Sequence, residues 1–506
     1  MRVLTAGRWI SHLPRYHLGP GSVRIAVQRW VRLAPVTGLY FQGYGAAKVW
    51  NSLQAFGVRE TLRKVRSRRR ESLRNLKYVA LGQGVVTEAA AGTSFPVGAS
   101  VKFVAPAHPT CVDEVCLPAA LVAVGPGGGD PDRVLTWGRD VLPERAQAVA
   151  GWSPESGVPL PAPDVEALLE SAGAVLEQVP ADVLSLPRED APSSRPLPPP
   201  PSGKVEAVLF GYGQYAKVMI LGRLPAAVFL RCCHEIDPTQ VGDVRRYPWE
   251  VRTSPLPEPD ERYNLWFAAG YHHTHALIAA PALAQGAAVV VEKPLATTHA
   301  DLDRVLAAMP GGRLYTAYQR RYSPFNGILR RDLAAPQGAP ISMRAVVYEV
   351  PLPPRHWYRW PASRGRIVCN GCHWIDYFLF LNGWSRPTAL RAERRANGDV
   401  VAQADLENGA SLSLIVTEHG SARLGVRDIV HLTHEDRTVV ITDQRIYQAE
   451  SSSRRLRRTR TSLSRLYGDM YAQIVADVLA GGRGDSPQSA QISARAVLDL
   501  QDQVEG

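Results

Sequence analysis

Cysteine, lysine and long apolar runs are all scarce in this sequence. Six cysteines in 506 residues exclude a disulfide scaffold. The longest apolar stretch, residues 275–291, is interrupted by Pro281, Gln285 and Gly286, which excludes a membrane-spanning helix there. The first 21 residues lack the continuous apolar core of a signal peptide. These absences predict a cytoplasmic protein without a membrane partner.

Positive charge comes mainly from arginine, because only seven of the 58 lysine and arginine residues are lysines. The net charge of +11 is concentrated in two basic runs, Arg63–Arg70 and Ser453–Thr461. Such runs bind nucleic acid or anionic surfaces in some proteins and form solvated loops in others. Neither run contains interleaved aromatic residues or a known reading motif. We therefore expect solvated loops and no nucleic-acid partner.

Proline content and hydrophobic periodicity divide the chain into regions. The proline-rich run Pro192–Lys204 predicts an extended linker. Behind it, hydrophobic strands alternate with helical segments, which predicts a parallel, doubly wound sheet. After Tyr322 the pattern becomes a two-residue alternation with a hairpin turn at Asn408-Gly409, which predicts an open, mostly antiparallel sheet. The predicted regions are a β-rich domain, a linker region, an α/β domain and an α+β domain: 1–130, 131–203, 204–325 and 326–506.

A glycine-rich turn opens the α/β region, between a predicted strand and a predicted helix. Its sequence, GYGQYA, fits the G-x-G-x-x-A pattern that binds the pyrophosphate of a dinucleotide in a Rossmann domain. An ordinary glycine turn is the alternative. The expected cofactor contacts in this turn are Gly211, Gly213, Gln214, Tyr215 and Ala216.

A carboxylate follows the next predicted strand. Asp237 lies 26 residues after Gly211, where an acidic side chain binds the ribose hydroxyls and favours NAD over NADP. Asp237 can equally be a turn residue. Because Arg231 and other arginines are nearby in sequence, the choice between NAD and NADP stays open.

A charged loop, Glu292–Pro294, follows the apolar strand Val289–Val291. Thr298 and a carboxylate three residues later predict a capping box for a helix at Ala300–Met309. The loop therefore leaves the carboxyl end of a parallel strand, where open α/β sheets bind ligands. Lys293 in this loop can exchange a proton with a substrate hydroxyl or carbonyl. A plain surface lysine is the alternative.

Four motifs together carry a family resemblance: GYGQYA, EKP, YQRRYSP (318–324) and GCHWID (371–376). From about residue 205 to the C-terminus the chain resembles the glucose-fructose oxidoreductase, inositol dehydrogenase and rhizopine catabolism (Gfo/Idh/MocA) family. The resemblance implies an α/β Rossmann domain that binds NAD or NADP, followed by an α+β domain whose open sheet commonly makes dimers. Residues 80–124 resemble, more loosely, the GroES-like barrel of medium-chain reductases without its metal ligands, so no metal is expected.

The resemblance also implies roles for residues at matching positions. Lys293 matches a catalytic lysine close to the nicotinamide, and His373 matches a catalytic histidine. Arg321 matches an arginine near the cofactor. The other residues expected beside the cofactor are Glu292, Pro294 and His275.

One departure from the family lies four residues before His373. Sugar dehydrogenases of the family commonly have an aspartate there, whereas this chain has Cys369, which leaves the acid–base relay open. Residues Cys369–His373 also match C-x-x-C-H, the pattern of haem c attachment or of a redox pair. Haem attachment requires export, and the motif opens an apolar helix, so we expect neither haem nor a metal.

These observations predict an NAD(P)-dependent oxidoreductase of polysaccharide or secondary-metabolite biosynthesis. Hydride would move to or from a hydroxyl or keto carbon of a sugar or nucleotide-sugar. Trp357 is either a stacking surface for the sugar ring or an ordinary packed residue. The expected partners are a small-molecule substrate and further copies of the chain, as a dimer or tetramer. Two alternatives are an imine or enone reductase and a cofactor-binding scaffold or sensor without turnover.

Overall fold

A computed structural model of the chain contains three large sheets and one small hairpin. It describes residues 3–5, 8–10, 13–35, 49–50, 52–54, 57–58, 61–62, 77–109, 113–125, 182–185, 199, 201–352, 357–359, 361–420 and 425–505. Within these ranges, none of the helices combines the length and apolar character that crossing a bilayer requires. The basic run Arg63–Arg70 and most of the predicted linker lie outside the described residues.

The N-terminal region is β-rich, as the sequence predicts. Its six-stranded antiparallel sheet has the order β6-β3-β4-β5-β7, with β8 paired to β3. Trp30 and Phe103 are fully buried in its core. Its likeness to a GroES-like barrel stays a prediction. The strands are β1 (Val3–Thr5), β2 (Arg8–Ile10), β3 (Ser22–Pro35), β4 (Lys77–Ala89), β5 (Ser100–Pro109), β6 (Glu114–Pro118), β7 (Val122–Val124) and β8 (Asp182–Ser185).

The second sheet confirms the doubly wound prediction. Its six strands are all parallel and follow the order β11-β10-β9-β12-β13-β14, which is the 3-2-1-4-5-6 order of the Rossmann fold. Both faces are covered, so the central strands consist of buried apolar residues. The strands are β9 (Val205–Phe210), β10 (Val228–His234), β11 (Glu250–Arg252), β12 (Leu265–Ala268), β13 (Ala288–Val291) and β14 (Arg313–Thr316).

The helices around this sheet follow local sequence signals. The Asp301 amide donates to Thr298 Oγ1 at 3.1 Å, which confirms the predicted cap one residue before the helix begins. The helix after the glycine turn is instead irregular: a π-helical turn, Ala216–Ile220, runs into a 3₁₀ turn, Leu221–Arg223, and Pro225 prevents its continuation. The α-helices of this region are α1 (Pro238–Val241), α2 (His275–Ala284), α3 (His299–Ala308) and α4 (Asn326–Asp332).

The third sheet is the open, mostly antiparallel sheet that the alternation predicts. Its order is β16-β17-β18-β15-β19-β20-β21-β22, and β15 and β18 are its one parallel pair among the described strands. Gly409, with φ of 87°, makes the predicted turn between β17 and β18. The strands are β15 (Ser342–Tyr348), β16 (Pro387–Arg394), β17 (Val400–Leu406), β18 (Ser411–Thr417), β19 (Arg427–His434), β20 (Arg437–Thr442), β21 (Ile446–Glu450) and β22 (Arg455–Arg460).

The basic run Ser453–Thr461 was expected to be a loop, and the structure corrects this. Most of it forms β22 at the edge of the third sheet. Arg457 forms an ion pair with Asp332 at 2.8 Å. The arginine-rich segment is accommodated as a strand because it lies at the edge of the sheet, where charged side chains protect the exposed edge from further pairing.

The C-terminal region contains three further helices: α5 (Cys372–Leu381), α6 (Leu463–Leu479) and α7 (Pro487–Glu505). Helix α7 packs on α5, α3 and β16. Helix α6 returns to the Rossmann sheet, where Tyr471 and Ile474 belong to the same buried cluster as Ala216. The C-terminal segment therefore packs against the end of the glycine turn, where the following helical turn begins.

Candidate active site

Lys293 lies just beyond β13 at the carboxyl edge of the Rossmann sheet, in the position that the sequence predicts. Its Nζ donates a hydrogen bond to the Cys369 carbonyl oxygen at 2.7 Å and another to the Tyr358 hydroxyl at 3.2 Å. The Tyr358 ring centroid is 5.3 Å from the same nitrogen. Lys293 is partly buried, so it is not a plain surface lysine.

Cys369 contacts Lys293 through its backbone and not through its side chain. It lies in a π-helical turn, Ile367–Gly371, that leads into α5. Its thiol donates to the Ser363 carbonyl oxygen at 3.2 Å. The position where the family has an aspartate therefore gives the lysine a carbonyl oxygen, which is a neutral acceptor.

The cysteine pair of the C-x-x-C-H motif consists of free thiols. Burial raises the pKa of the Cys372 thiol to about 12, and burial also raises the pKa of Cys369. Thiols in this state are protonated at neutral pH, whereas metal binding and disulfide exchange need the thiolate. The geometry thus gives no support to a redox or haem role.

His373 lies on the first turn of α5, close to Lys293. Its ring nitrogen Nδ1 is buried and has no hydrogen-bond partner among the described residues. Burial, and next the charge of Lys293, hold the pKa of His373 well below its usual value. The structure therefore brings together the two residues predicted to be catalytic, with His373 in its neutral form.

A cluster of aromatic rings closes the other side of Lys293. The His272 ring centroid is 4.5 Å from that of Trp357 and 5.1 Å from that of Tyr358. Burial, followed by the charge of Lys293, also holds the pKa of His272 well below its usual value. Trp357 packs edge-on against His272, so in this structure it is a wall of the site and not a free stacking platform.

The electrostatics of this cluster follow from its composition. Burial lowers the pKa of Lys293, but its interactions with Tyr358, a hydrogen bond from the ammonium group among them, oppose burial, and the net direction is upward. Burial raises the pKa of Tyr358, and the lysine only partly opposes this. At neutral pH the lysine is a cation surrounded by a neutral phenol, neutral thiols and neutral imidazoles.

The glycine turn has the backbone that a dinucleotide site needs. Gly211 has a φ of 93°, and a Cβ there would lie 2.6 Å from the Ala269 carbonyl oxygen. At Gly213 a Cβ would meet no atom within 4 Å, which leaves open space where a pyrophosphate approaches the backbone. Ala216 is buried against the sheet. The turn therefore fits a dinucleotide, with Gln214 and Tyr215 at the start of the following helix.

A carboxylate that the sequence analysis missed lies closer to the glycine turn than Asp237 does in the hydrogen-bond network. Glu235 directly follows β10, and its carboxylate accepts the backbone N–H of Tyr212 at 2.8 Å and that of Asp237 at 2.9 Å. Burial raises the pKa of Glu235 to about 7. Asp237 lies two residues further on, immediately before α1, so Glu235 is the better placed carboxylate.

Glu292 and Pro294 fix the loop on either side of Lys293. The Tyr471 hydroxyl donates to the Glu292 carboxylate, which ties the loop to helix α6. His275 Nδ1 lies 2.8 Å from the Pro294 carbonyl oxygen, and burial lowers the pKa of His275 to about 4. His275 is therefore a neutral ring that donates through Nδ1 and positions the loop.

Arg321 was expected near the cofactor, and the structure places it in a buried ion-pair network. Its Nε donates to Asp376 at 2.9 Å, and an Nη donates to Asp485 at 2.8 Å. Its guanidinium also lies 4.7 Å from the Trp384 ring centroid. These bonds hold α5 in place, and so they orient His373 indirectly.

A group of potential metal ligands includes two residues of β10. One ligand atom each from Cys232, His234 and Glu261 lies within 4.8 Å of the others. The carboxylate of Glu261 already accepts a bond from Arg252 at 2.7 Å and lies 2.7 Å from His234 Nε2. Because the Arg252 guanidinium already forms an ion pair with the Glu261 carboxylate, we interpret this group as part of a buried ion-pair network and not as a metal site.

Comparison with known proteins gives only distant structural likeness. No protein-family model and no curated protein matches the sequence. A dehydrogenase from Chromobacterium violaceum aligns at 13% identity and a TM-score of 0.49, covering 60% of this chain and 96% of that one. UDP-N-acetylglucosamine 3-dehydrogenase from Acidithiobacillus ferrooxidans aligns at 15% sequence identity and a TM-score of 0.49, covering 60% of this chain and 98% of that one.

A levoglucosan dehydrogenase in complex with NADH and levoglucosan aligns at 18% identity and a TM-score of 0.48, covering 59% of this chain and 98% of that one. Identities this low do not transfer an activity. Family membership therefore stays a resemblance, and function has to be inferred from the residues of this chain.

Proposed function

We propose that the protein is an NAD(P)-dependent oxidoreductase acting on a hydroxyl or keto carbon of a sugar or nucleotide-sugar. The observation that carries this proposal is the placement of Lys293. It lies at the carboxyl edge of a Rossmann sheet, two strands from the glycine turn, and is a cation beside the neutral His373. That edge is where doubly wound sheets bind dinucleotides and their substrates.

The cofactor, when bound, supplies or accepts the hydride. Residues 211–216 would hold its pyrophosphate, and Glu235 would accept hydrogen bonds from its ribose hydroxyls. The Glu292–Pro294 loop, held by Tyr471 and His275, would lie beside the nicotinamide end. Since Glu235 would repel a 2′-phosphate, we propose that NAD(H) binds more tightly than NADP(H).

Lys293 performs the proton chemistry in this proposal. Two of the three N–H donors of its ammonium group bond to Cys369 and Tyr358, and the third can donate to a substrate oxygen. During reduction of a carbonyl, the ammonium group stabilises the oxygen as negative charge develops and then gives up a proton. In the oxidative direction the neutral amine accepts the hydroxyl proton.

His373 and Tyr358 would both support this transfer. The other ring nitrogen of His373, Nε2, is not among the inaccessible atoms and can bond to a second hydroxyl of a sugar, which would fix the reacting carbon. Tyr358 orients the lysine and adds no negative charge. The aromatic wall of His272 and Trp357 excludes water, which strengthens the electrostatic interaction with the substrate oxygen.

The missing carboxylate at Cys369 favours a second candidate, a cofactor-binding protein without turnover. A lysine held by a carbonyl oxygen and a phenol has no carboxyl group among these two partners with which to exchange its proton. The two candidates share the cofactor site and differ only in turnover, so one series of measurements distinguishes them.

The test is titration of the purified protein with NADH and NADPH by fluorescence, followed by turnover of a panel of nucleotide-sugars. Lys293→Ala should abolish turnover and leave the NADH dissociation constant nearly unchanged. Lys204→Ala, an exposed lysine before β9, is the matched control and should change neither. Failure of the wild-type protein to bind either cofactor would refute the proposal, and binding without turnover of any panel member would favour the second candidate.

A further inference from the structure

A polar hollow lies on the outer face of the third sheet, across strands β16, β17, β18 and β15. Its volume is about 370 Å³, within the range of about 300–1,000 Å³ that small-molecule sites occupy. Consecutive residues of a strand point to opposite faces of the sheet. Met343 and Leu412 belong to the buried core that contains Trp374 of α5, so Arg344 and Ser413 point outward. The sheet therefore separates the hollow from helix α5 and the candidate active site.

Strand pairing defines the positions of the polar side chains that line the hollow. Arg391 on β16 pairs with Gln403 on β17. Gln403 pairs in turn with Ser413 on β18, and Ser413 pairs with Arg344 on β15. Neighbouring strands are about 4.8 Å apart, so the Cα atoms of the two arginines are about 14 Å apart. The arginines thus stand at opposite ends of the hollow, with an amide and a hydroxyl between them.

The charged side chains around the hollow are not paired with one another. Within the described part of the chain, the side chains of Arg344, Arg391 and Asp405 form no hydrogen bond or ion pair, and all three are exposed. Elsewhere on the same sheet, neighbouring opposite charges do pair, as Arg427 does with Asp443 at 2.8 Å. Such pairing is usual between adjacent strands. The hollow therefore offers charged groups to a ligand.

The chemistry of the lining selects the kind of ligand. A guanidinium presents a planar fork of N–H donors that matches a phosphate or a carboxylate group. The amide of Gln403, the hydroxyl of Ser413 and the carboxylate of Asp405 can exchange hydrogen bonds with the hydroxyls of a sugar. This combination fits a sugar that carries one anionic group.

Asp405 determines which end of the hollow suits the anionic group. It lies on β17, which is next to β16 and two strands from β15. Its carboxylate is therefore closer to the Arg391 end than to the Arg344 end. Because like charges repel, the Arg344 end is the better position for a phosphate or carboxylate.

We propose that this hollow binds an anionic sugar, with the anionic group at Arg344 and the hydroxyl groups at Gln403, Ser413 and Asp405. The site is separate from the candidate active site and does not depend on a dinucleotide cofactor. Ile415 lies two residues from Ser413 on the same face of β18. A ligand in the hollow would thus lie beside the proposed oligomer contact.

The experiment is isothermal titration calorimetry of the full chain with glucose 6-phosphate, glucuronate and glucose. The first two probes carry a phosphate and a carboxylate, and glucose carries neither. The wild-type protein should bind at least one anionic sugar more tightly than glucose. Arg344→Gln should weaken that binding about tenfold, the loss expected for one charge-assisted hydrogen bond. Arg391→Gln should weaken it by a smaller factor.

Two variants serve as controls. Arg394→Gln removes an exposed arginine three residues from Arg391 on the same strand, and therefore on its other face. Lys293→Ala changes the candidate active site. Both should leave the affinity for the anionic sugar unchanged, and circular dichroism should show that every variant is folded.

Binding of neither anionic sugar to the wild-type protein would overturn the inference, since the hollow would then be a solvated face or a surface that a second copy covers. Equal affinity for glucose would overturn it too, because the arginines would then have no role. The inference would also be wrong if Arg344→Gln kept full affinity, or if Arg394→Gln lost as much. A loss confined to Lys293→Ala would place the sugar in the active site instead.

Discussion

Removing the Tyr358 hydroxyl should lower the pKa of Lys293 by about one pH unit. The hydroxyl accepts a hydrogen bond from the ammonium group at 3.2 Å, and bonds to charged groups contribute about 1.5–3 kcal/mol. Because 3.2 Å is long for such a bond, we take the lower limit, about 1.5 kcal/mol. One pKa unit corresponds to about 1.4 kcal/mol, which gives the shift. Its sign is downward, since the cation loses an acceptor while burial continues to disfavour charge.

The scarcity of lysine allows a direct measurement. With only seven lysines in the chain, ¹⁵N-lysine NMR can follow each ammonium group as pH changes, and Lys293→Ala identifies its signal. Tyr358→Phe should move the midpoint of that signal to lower pH. In turnover assays the same variant should shift the alkaline limb of the pH–rate profile for carbonyl reduction to lower pH by a similar amount, because the reaction needs the protonated lysine.

A matched variant separates this effect from a general disturbance. Tyr348→Phe removes a phenol hydroxyl from β15 and should leave the Lys293 midpoint in place. If Tyr358→Phe leaves the midpoint unmoved while NADH affinity is intact, the hydrogen bond does not control the lysine. The role assigned to Tyr358 would then be wrong, even if Lys293 itself is catalytic.

Three further predictions concern other parts of the fold. NADH affinity should increase as pH rises through about 7. The Glu235 carboxylate must be ionised to accept hydrogen bonds from the ribose hydroxyls, and its pKa is raised to about 7. Calorimetry at several pH values should show this increase for the wild-type protein and a flat profile for Glu235→Gln. Gly211→Ala should destabilise the protein by about 1–3 kcal/mol in urea unfolding, since φ is 93° and its Cβ would meet the Ala269 carbonyl. Ile415→Glu should dissociate the proposed homo-oligomer in light scattering, because Ile415 pairs with Val401 and Val346 on the outer face of the third sheet.

Local sequence patterns were sufficient wherever a structural element depends on neighbouring residues. The strand Val289–Val291 reads as buried because parallel strands are covered on both faces. Thr298 was recognised as a cap because a capping box spans only a few residues. The placement of Lys293 followed from these two elements, because they flank the loop that contains it.

The residues that were missed depend on distances that no local pattern contains. Tyr358 is 65 residues from Lys293 in sequence, and it was one aromatic residue among several in its segment. Glu235 was passed over for Asp237 because strand ends are uncertain by one or two residues when read from sequence. Arg321 was expected near the cofactor from the family resemblance, and that expectation stays a prediction; its ion pairs with Asp376 and Asp485 could not be predicted because these carboxylates are distant in the chain.

Cys369 stands where the family that this chain resembles has an aspartate, and the structure supplies Lys293 with other hydrogen-bond acceptors. An aspartate there would put a negative charge beside Lys293 and stabilise its cation. Here a carbonyl oxygen at 2.7 Å and a phenol provide hydrogen bonds without that charge. The lysine is then a cation in a site with no compensating carboxylate among its two hydrogen-bond partners, so it interacts more strongly with negative charge that develops on a substrate oxygen. In this arrangement the ammonium form of Lys293 can donate directly to a carbonyl oxygen, whereas alcohol oxidation would first require the lysine to lose a proton.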